Sequence, residues 1–197
     1  MPLSQIKNIA IFEANQGDIE QMIEICAQNL IETNRQKFSS QDFSKKGFLV
    51  RRLTFENAKI MIDDKENYFV CVAKNGDEVL GYLIACDIKK LEFSFPPEVL
   101  NQLSIGQKTK IFYHKQIVKK AGVKKVGEKL LLAMFEESNR RGYKKIICRI
   151  VQRPFFNQAS ISFHEKFGFN KIGEMSEYEI DLGIYLKISE VCAFEAK

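Results

Sequence analysis

Residues 110–131, KIFYHKQIVKKAGVKKVGEKLL, change their periodicity halfway along. The run from Lys110 to Val118 is apolar enough and short enough to be a strand. From there Val123, Val126, Leu130 and Met134 fall on one helical stripe, with Leu131 and Phe135 beside it. Lys124, Lys125, Glu128 and Lys129 take the other side, so the spacing predicts a helix over about Lys124 to Arg141. Gly142, following Arg140 and Arg141, ends it. The lysines first suggest a polyanion surface, but periodicity moves them to a solvated face or to the helix rim. Gly127 then stands out, because it lies on the buried side of the first turn, where alanine would be favoured by about 1 kcal/mol. Close packing of the helix, or simple tolerance of glycine, would account for it. So would a third reading: a strand, a glycine-containing loop and a helix N-terminus form a nest of free N–H groups suited to a diphosphate, which glycine lets approach.

Working outward, the segments before this junction read as a strand over Ile6 to Phe12 and a turn at Asn15-Gln-Gly-Asp18. Asp18 is placed to cap the following helix, with Gln21 at capping-box distance. That helix carries Ile19, Met22, Ile23, Cys26 and Leu30 on one stripe. A polar stretch from Thr33 to Lys46 follows, and then a short helix after Thr54 that ends near Asp63. Two apolar runs, YFVCVA and VLGYLIACDI, flank Asn75-Gly and predict a β-hairpin whose arms are covered on both faces. Segment 89–110 is irregular, with a turn or two of helix at PEVLNQL, and segments of this length often work as lids. Its Phe93 and Phe95 suit such a lid, a packing ornament or an oligomer contact. After the central helix come a strand (KKIICRIV), a helix over Asn157 to Phe167 stopped by Gly168, and two last strands. The order β-α-(α)-β-β-β-α-β-α-β-β predicts an α+β (mixed α/β) fold, a mostly antiparallel twisted sheet of about seven strands with helices on both faces.

The 197 residues are most simply one domain, 1–197, large enough for a substantial core. Hydrophobic residues at 45% against 28% charged exclude a disordered chain. A net charge of +5 constrains partners only weakly. Cys26, Cys71, Cys86, Cys148 and Cys192 show no CxxC pairing and mostly sit in apolar runs, which suggests a reducing, cytoplasmic setting. No leader pattern and no apolar run long enough to span a bilayer is visible, so no membrane partner is expected. Nucleic acid is disfavoured, since the aromatics near the lysine run, Phe112 and Phe135, read as buried.

Thirty residues beyond the junction stands NQASISFHEKFGF (157–169), in which Ser160, Phe163, His164 and Phe167 share a helix face. This string, with the glycine loop, the hairpin and the element order, resembles the GCN5-related N-acetyltransferase (GNAT) superfamily. In that family a strand ends in V-x-x-x-x-R/Q-x-x-G-x-G/A and a later helix reads N-x-x-A/S-x-x-x-Y-x-x-x-G-F. Asn157, Ser160 and Gly168-Phe169 match the second motif, with His164 where the tyrosine usually stands. In the first, Gly127 matches the last glycine, Gly122 occupies the Arg/Gln place, and Lys125 that of the middle glycine.

The resemblance implies an acyl-CoA N-acyltransferase fold and transfer of an acetyl group from acetyl-CoA to an amine, held by a small molecule or a peptide. A related protein that binds a CoA ester without much catalysis is the alternative. It implies that the pantetheine arm pairs with Ile117, Val118 and Lys119 along a strand splayed from its neighbour. The pyrophosphate would meet the N–H groups of Gly122, Val123, Lys124, Lys125, Val126 and Gly127. Lys125 either points outward, adding charge beside Lys119, Lys120 and Lys124, or blocks the loop. Ser160 is counted with the cofactor contacts, and Asn157 bonds the arm, serves as an ordinary N-cap, or does both. His164 inherits the acid role toward the departing thiolate, being partly protonated at neutral pH if its pKa is the ordinary one, or is a structural histidine. His114 is a candidate base, on the same strand face as Gln116 and Val118 and opposite Tyr113. No metal ligand set is identified. Loops 33–65 and 89–110 would shape the acceptor site, and a homodimer is left open.

Overall fold

The computed structural model of the protein describes residues 8–31, 47–91, 93–103 and 110–188. Its centre is the hairpin marked by Asn75-Gly76: β2 (Tyr68–Asn75) and β3 (Glu78–Asp87) pair antiparallel, Asn75 opposite Glu78. Of the two linking residues only Gly76 has a positive φ, +60°, as a type II′ turn with glycine first requires. Along β2, Val70 and Val72 face one helix layer while Cys71 and Ala73 face the other. The arms read as unbroken apolar runs because both faces are covered.

β1 (Ala10–Glu13) adds to the outer edge of β2, and the part of its expected span before residue 8 lies outside the described residues. β4 (Ile111–Lys119) pairs with β3, β5 (Lys145–Arg153) with β4, and the hairpin of β6 (Asn170–Glu177) and β7 (Ile180–Ile188) closes the sheet. The resulting seven-stranded order is β1-β2-β3-β4-β5-β7-β6, and β4–β5 is its one parallel pair. Mixed α/β architecture on a mostly antiparallel sheet is therefore as expected.

Five α-helices are described: α1 (Ile19–Asn29), α2 (Phe55–Asp63), α3 (Pro97–Leu103), α4 (Val126–Arg140) and α5 (Gln158–Lys166). α1 and α2 cover one sheet face, burying Ile19, Met22, Ile25, Ala58 and Met61 against Val72, Tyr82 and Ile84. α4 covers the opposite face through Val126, Leu130, Leu131 and Met134. Each fully buried side chain of this size is worth roughly 1.5–3 kcal/mol, so the two layers hold the sheet between them. α3 organises a third cluster, where Phe95, Val99 and Leu103 pack on Tyr113, Ile147 and Ile184. Phe95 is thus core, not lid, because its ring has sheet to sit on.

The helix after Thr54 is as expected, and Thr54 itself caps it, accepting from the Asn57 N–H at 3.2 Å. Before α1 the expectation fails by one turn. Asn15, not Asp18, is the cap: its Oδ1 accepts from the Gly17 N–H at 2.9 Å and starts a 3-10 turn that runs directly into α1. Asp18 accepts from the Asn15 N–H at 3.1 Å and pairs with Lys74 at 2.5 Å. Gln21 is spent on the hairpin, donating to the Asp77 carbonyl at 3.1 Å and accepting from the Val79 N–H at 2.9 Å. The polar stretch Thr33 to Lys46 lies outside the described residues, as does Cys192.

Candidate functional site

β4 has two halves. From Phe112 to His114 it pairs with β3 on one edge, and from Ile111 to His114 with β5 on the other, where Ile111 faces Lys145 and His114 faces Cys148. Beyond His114 the β5 pairing stops, while β3 pairing continues to Lys119 opposite Gly81. The break coincides with a bulge: Ala85 faces His114 and Ile84 faces Gln116, so Lys115 is the extra residue. A bulge bends its strand and sharpens the twist, which carries β4 away from β5 and opens a wedge between them. Ile117, Val118 and Lys119 line that wedge with an edge that no described strand pairs.

The extra residue also exchanges faces. His114 meets His164 on α5, whereas Gln116 donates to the Tyr82 hydroxyl at 3.0 Å on the α1 side. The expectation that His114 shares a face with Gln116 and Val118 is corrected on this ground: the two-residue period does not run through a bulge. Tyr113 does lie on the other face, its hydroxyl accepting from Arg149 Nε at 3.1 Å.

At the vertex of the wedge, His164 Nε2 and His114 Nδ1 are 3.2 Å apart, and both residues are buried. The proton order follows from the partners. A carbonyl only accepts, so His164 Nδ1, 2.7 Å from the Ser160 carbonyl oxygen, carries the hydrogen. His164 Nε2 is then the acceptor and His114 Nδ1 the donor, which leaves a lone pair on His114 Nε2. That atom is buried and has no hydrogen-bond partner. Burial lowers the His164 pKa to about 4, and burial together with the neighbouring His164 holds His114 well below the ordinary 6.5. Both rings are neutral at neutral pH, which corrects the expectation of a partly protonated His164. Cys148 Sγ and one nitrogen of each ring lie within 4.8 Å of one another, and burial pushes the Cys148 thiol up.

At the open end stands the N-terminus of α4. Lys125 occupies its N-cap position with φ +65° and ψ −5°, and offers no side-chain cap. Left-handed backbone is what glycine adopts freely, so lysine at this place bears strain. Gly122 is likewise at φ +79°. Lys119, Lys124 and Lys125 are exposed, so Lys125 points outward. Lys120 pairs with Glu78 at 2.7 Å, and Lys129 donates to the Ile9 carbonyl at 2.8 Å. A Cβ on Gly127 would stand 3.4 Å from the Phe163 ring, a contact that leaves alanine almost room enough. Packing thus gives Gly127 only part of its reason. An uncapped helix of fifteen residues, behind a loop with two left-handed residues, concentrates unpaired N–H groups and the positive helix end at one point.

Asn157 and Ser160 both make bonds within the protein. Asn157 Oδ1 accepts from the Ser160 N–H at 3.2 Å, and its amide donates to the Phe48 carbonyl at 3.2 Å, so the N-cap reading describes it. Ser160 orients His164. Sequence reasoning missed Gly81, where a Cβ would lie 2.6 Å from the Val118 carbonyl and 2.7 Å from Val126 Cγ1. β3, β4 and the first residue of α4 converge there. A glycine inside the apolar run VLGYLI was the available signal. Cys148 escapes sequence reasoning as well, because a cysteine inside an apolar run reads as a small hydrophobe.

A strand pair that parts at a buried histidine pair, with an uncapped helix N-terminus at the open end, is the arrangement the fold presents. A sequence model of the acetyltransferase (GNAT) family matches residues 30–169. The chain belongs to that family. No curated protein matches it. Among solved structures it is similar to an N-acetyltransferase from Staphylococcus aureus Mu50, with a TM-score of 0.62 at 20% identity, over 93% of this chain and all of that one (100%). A putative acetyltransferase from Salmonella typhimurium, solved with its cofactor acetyl-CoA, gives 0.62 at 19% identity over 93% and 95%. The PaiA N-acetyltransferase from Thermoplasma acidophilum, in complex with coenzyme A, gives 0.62 at 15% identity over 92% and 99%. These likenesses extend to the fold. No helix among the described residues is long and apolar enough to cross a membrane.

Proposed function

We propose that the protein transfers an acetyl group from acetyl-CoA to a primary amine, on a small molecule or a peptide, by direct attack in a ternary complex. The observation that carries this reading is the parting of β4 from β5 at His114 and Cys148, with the unpaired edge leading to the uncapped end of α4. Ile117, Val118 and Lys119 offer that edge to the pantetheine amides. The N–H groups from Gly122 to Gly127 hold the pyrophosphate, with Lys119, Lys124 and Lys125 adding charge. The cofactor supplies an activated thioester.

The histidine pair handles protons. His114 Nε2, a lone pair without a partner, accepts the proton that the attacking amine loses. Its Nδ1–H already points at His164 Nε2, so a proton gained at one nitrogen of His114 is matched by one passed to His164. An imidazole of low pKa is a weak base, but an amine that has bonded to a carbonyl carbon is a strong acid and gives its proton up readily. The proton leaves by the same atom, from His114 Nε2 to the departing thiolate as His164 hands its own back to His114 Nδ1, because both nitrogens of His164 are held by Ser160 and His114.

Calorimetry with acetyl-CoA, followed by thiol release over a panel of amines, tests the reading. Binding together with amine-dependent release is expected. No binding would overturn it, and binding with release at background would make the chain a CoA-ester-binding module.

A further inference from the structure

The vertex of the wedge carries a second chemistry. Cys148 on β5, His114 on β4 and His164 on α5 come from three elements and converge with their ligand atoms within 4.8 Å. They are 2%, 4% and 3% exposed. We propose that these three residues bind a divalent cation of borderline softness, zinc foremost, leaving the fourth position open toward the wedge.

One sulfur and two imidazole nitrogens are a donor set that zinc prefers, and three protein ligands with one open position is a recurrent zinc geometry. The spacing fits. Two imidazole nitrogens bound tetrahedrally at ~2.0–2.1 Å stand ~3.3 Å apart, and the two ring nitrogens are 3.2 Å apart. Sulfur to nitrogen would be ~3.6 Å around such an ion, against the 4.8 Å that bounds the three ligand atoms, so Cys148 has to close by no more than about 1.2 Å, within reach of a χ1 adjustment. The surroundings fit as well. A metal-bound histidine usually donates its other N–H to a carbonyl or carboxylate, which fixes the ring. His164 Nδ1 does this already, to the Ser160 carbonyl at 2.7 Å.

The proton balance is simple. The cation takes the place of the hydrogen between the rings, and that hydrogen moves to His114 Nε2. This nitrogen has no partner in either tautomer, so the shift breaks no bond other than the one the metal replaces. The Cys148 thiol proton leaves to solvent, and a divalent ion with one thiolate and two neutral imidazoles carries a single positive charge. The ring nitrogens that the metal takes are those used by the proton relay, so loading silences acetyl transfer. This consequence rests on the proposed function, whereas the metal site itself does not.

Titrating the purified full chain with Co²⁺ tests the site. One equivalent should bind, with the visible bands of a tetrahedral ion and a thiolate-to-cobalt charge-transfer band, and Zn²⁺ should displace it. Cys148→Ala should lose the charge-transfer band while acetyl-CoA still binds by calorimetry. Should that variant fail to fold, X-ray absorption on the zinc-loaded wild type should show one sulfur and two imidazole nitrogens. Absence of stoichiometric binding, a charge-transfer band surviving in Cys148→Ala, or a coordination shell without sulfur each overturns the proposal. With zinc bound, acetyl transfer should drop at least ten-fold and recover with chelator. A zinc-loaded enzyme of full activity would leave the site standing and overturn the histidine relay.

Discussion

The two halves of β4 differ by one residue of register and by everything that follows from it. The Ile111–His114 half is paired with β5 throughout and with β3 from Phe112 on, and all four of its side chains are buried. The Lys115–Lys119 half keeps only β3, and its side chains range from the buried Val118 to the exposed Lys115 and Lys119. The first half fixes a position and the second presents an edge. Lys115 at the join converts one into the other, and this is why the buried histidine pair sits where the pairing ends.

The comparison can be broken at several points, beginning with the chemistry at the join. His114→Ala should lower kcat about 100-fold, with acetyl-CoA affinity little changed, because the edge and the phosphate nest lie elsewhere; steady-state kinetics beside calorimetry separates the two. Next comes Gly81, which holds the open half against α4. Gly81→Ala drives a methyl into the Val118 carbonyl and Val126, and should cost about 2 kcal/mol in denaturant unfolding, together with a several-fold loss of acetyl-CoA affinity. Asn157→Ala removes the α5 cap and the bond to Phe48, so α5 should loosen behind His164. About 1 kcal/mol of stability should go, with KM moved less than kcat.

Smaller effects sharpen the picture. Lys125→Gly relieves a left-handed lysine at the mouth of the wedge and should raise stability by about 0.5 kcal/mol, visible as a higher unfolding midpoint. It also removes one charge, so the salt dependence of acetyl-CoA binding should flatten. Smallest is a pH effect at the closed end, where Arg141 offers its carbonyl to Lys110 just before β4. Hydrogen bonds from Arg140 and then Arg141 hold the Glu137 carboxyl below its ordinary 4.5. A group with a lowered folded pKa contributes fully above its unfolded value and less as pH falls through the folded one. The stability gap between wild type and Glu137→Gln should therefore be open at neutral pH and close as the pH drops below about 4.5. A gap that stays constant across that range would show that Glu137 contributes by packing.

What the sequence made legible was whatever repeats. The stripe of α4, the hairpin around Gly76 and the glycine stops at Gly142 and Gly168 all follow from local period and backbone freedom, and they place the wedge and its mouth. What it hid depends on single insertions and long-range meetings. The two-residue period along β4 put His114 beside Gln116, and nothing local announces an unpaired Lys115. The meeting of His114 with His164 spans 50 positions and exists only once α5 has docked. Lys125 looked like a departure from a glycine pattern, but the backbone beneath it kept the glycine conformation. At Asp18 and Asn15 two good caps competed, and the turn at Gln16–Asp18 favoured the earlier one.

An unpaired strand edge is ordinarily a hazard, because it templates the addition of another chain and so invites aggregation. Here the unsatisfied length of β4 lies inside the sheet, with β3 on one flank and β5 and α5 on the other. A foreign β-strand needs nearly 5 Å of clearance on each side, and β5 already stands on the flank where it would pair. By placing its open edge in the interior, the protein keeps an adhesive surface that its own kind cannot reach.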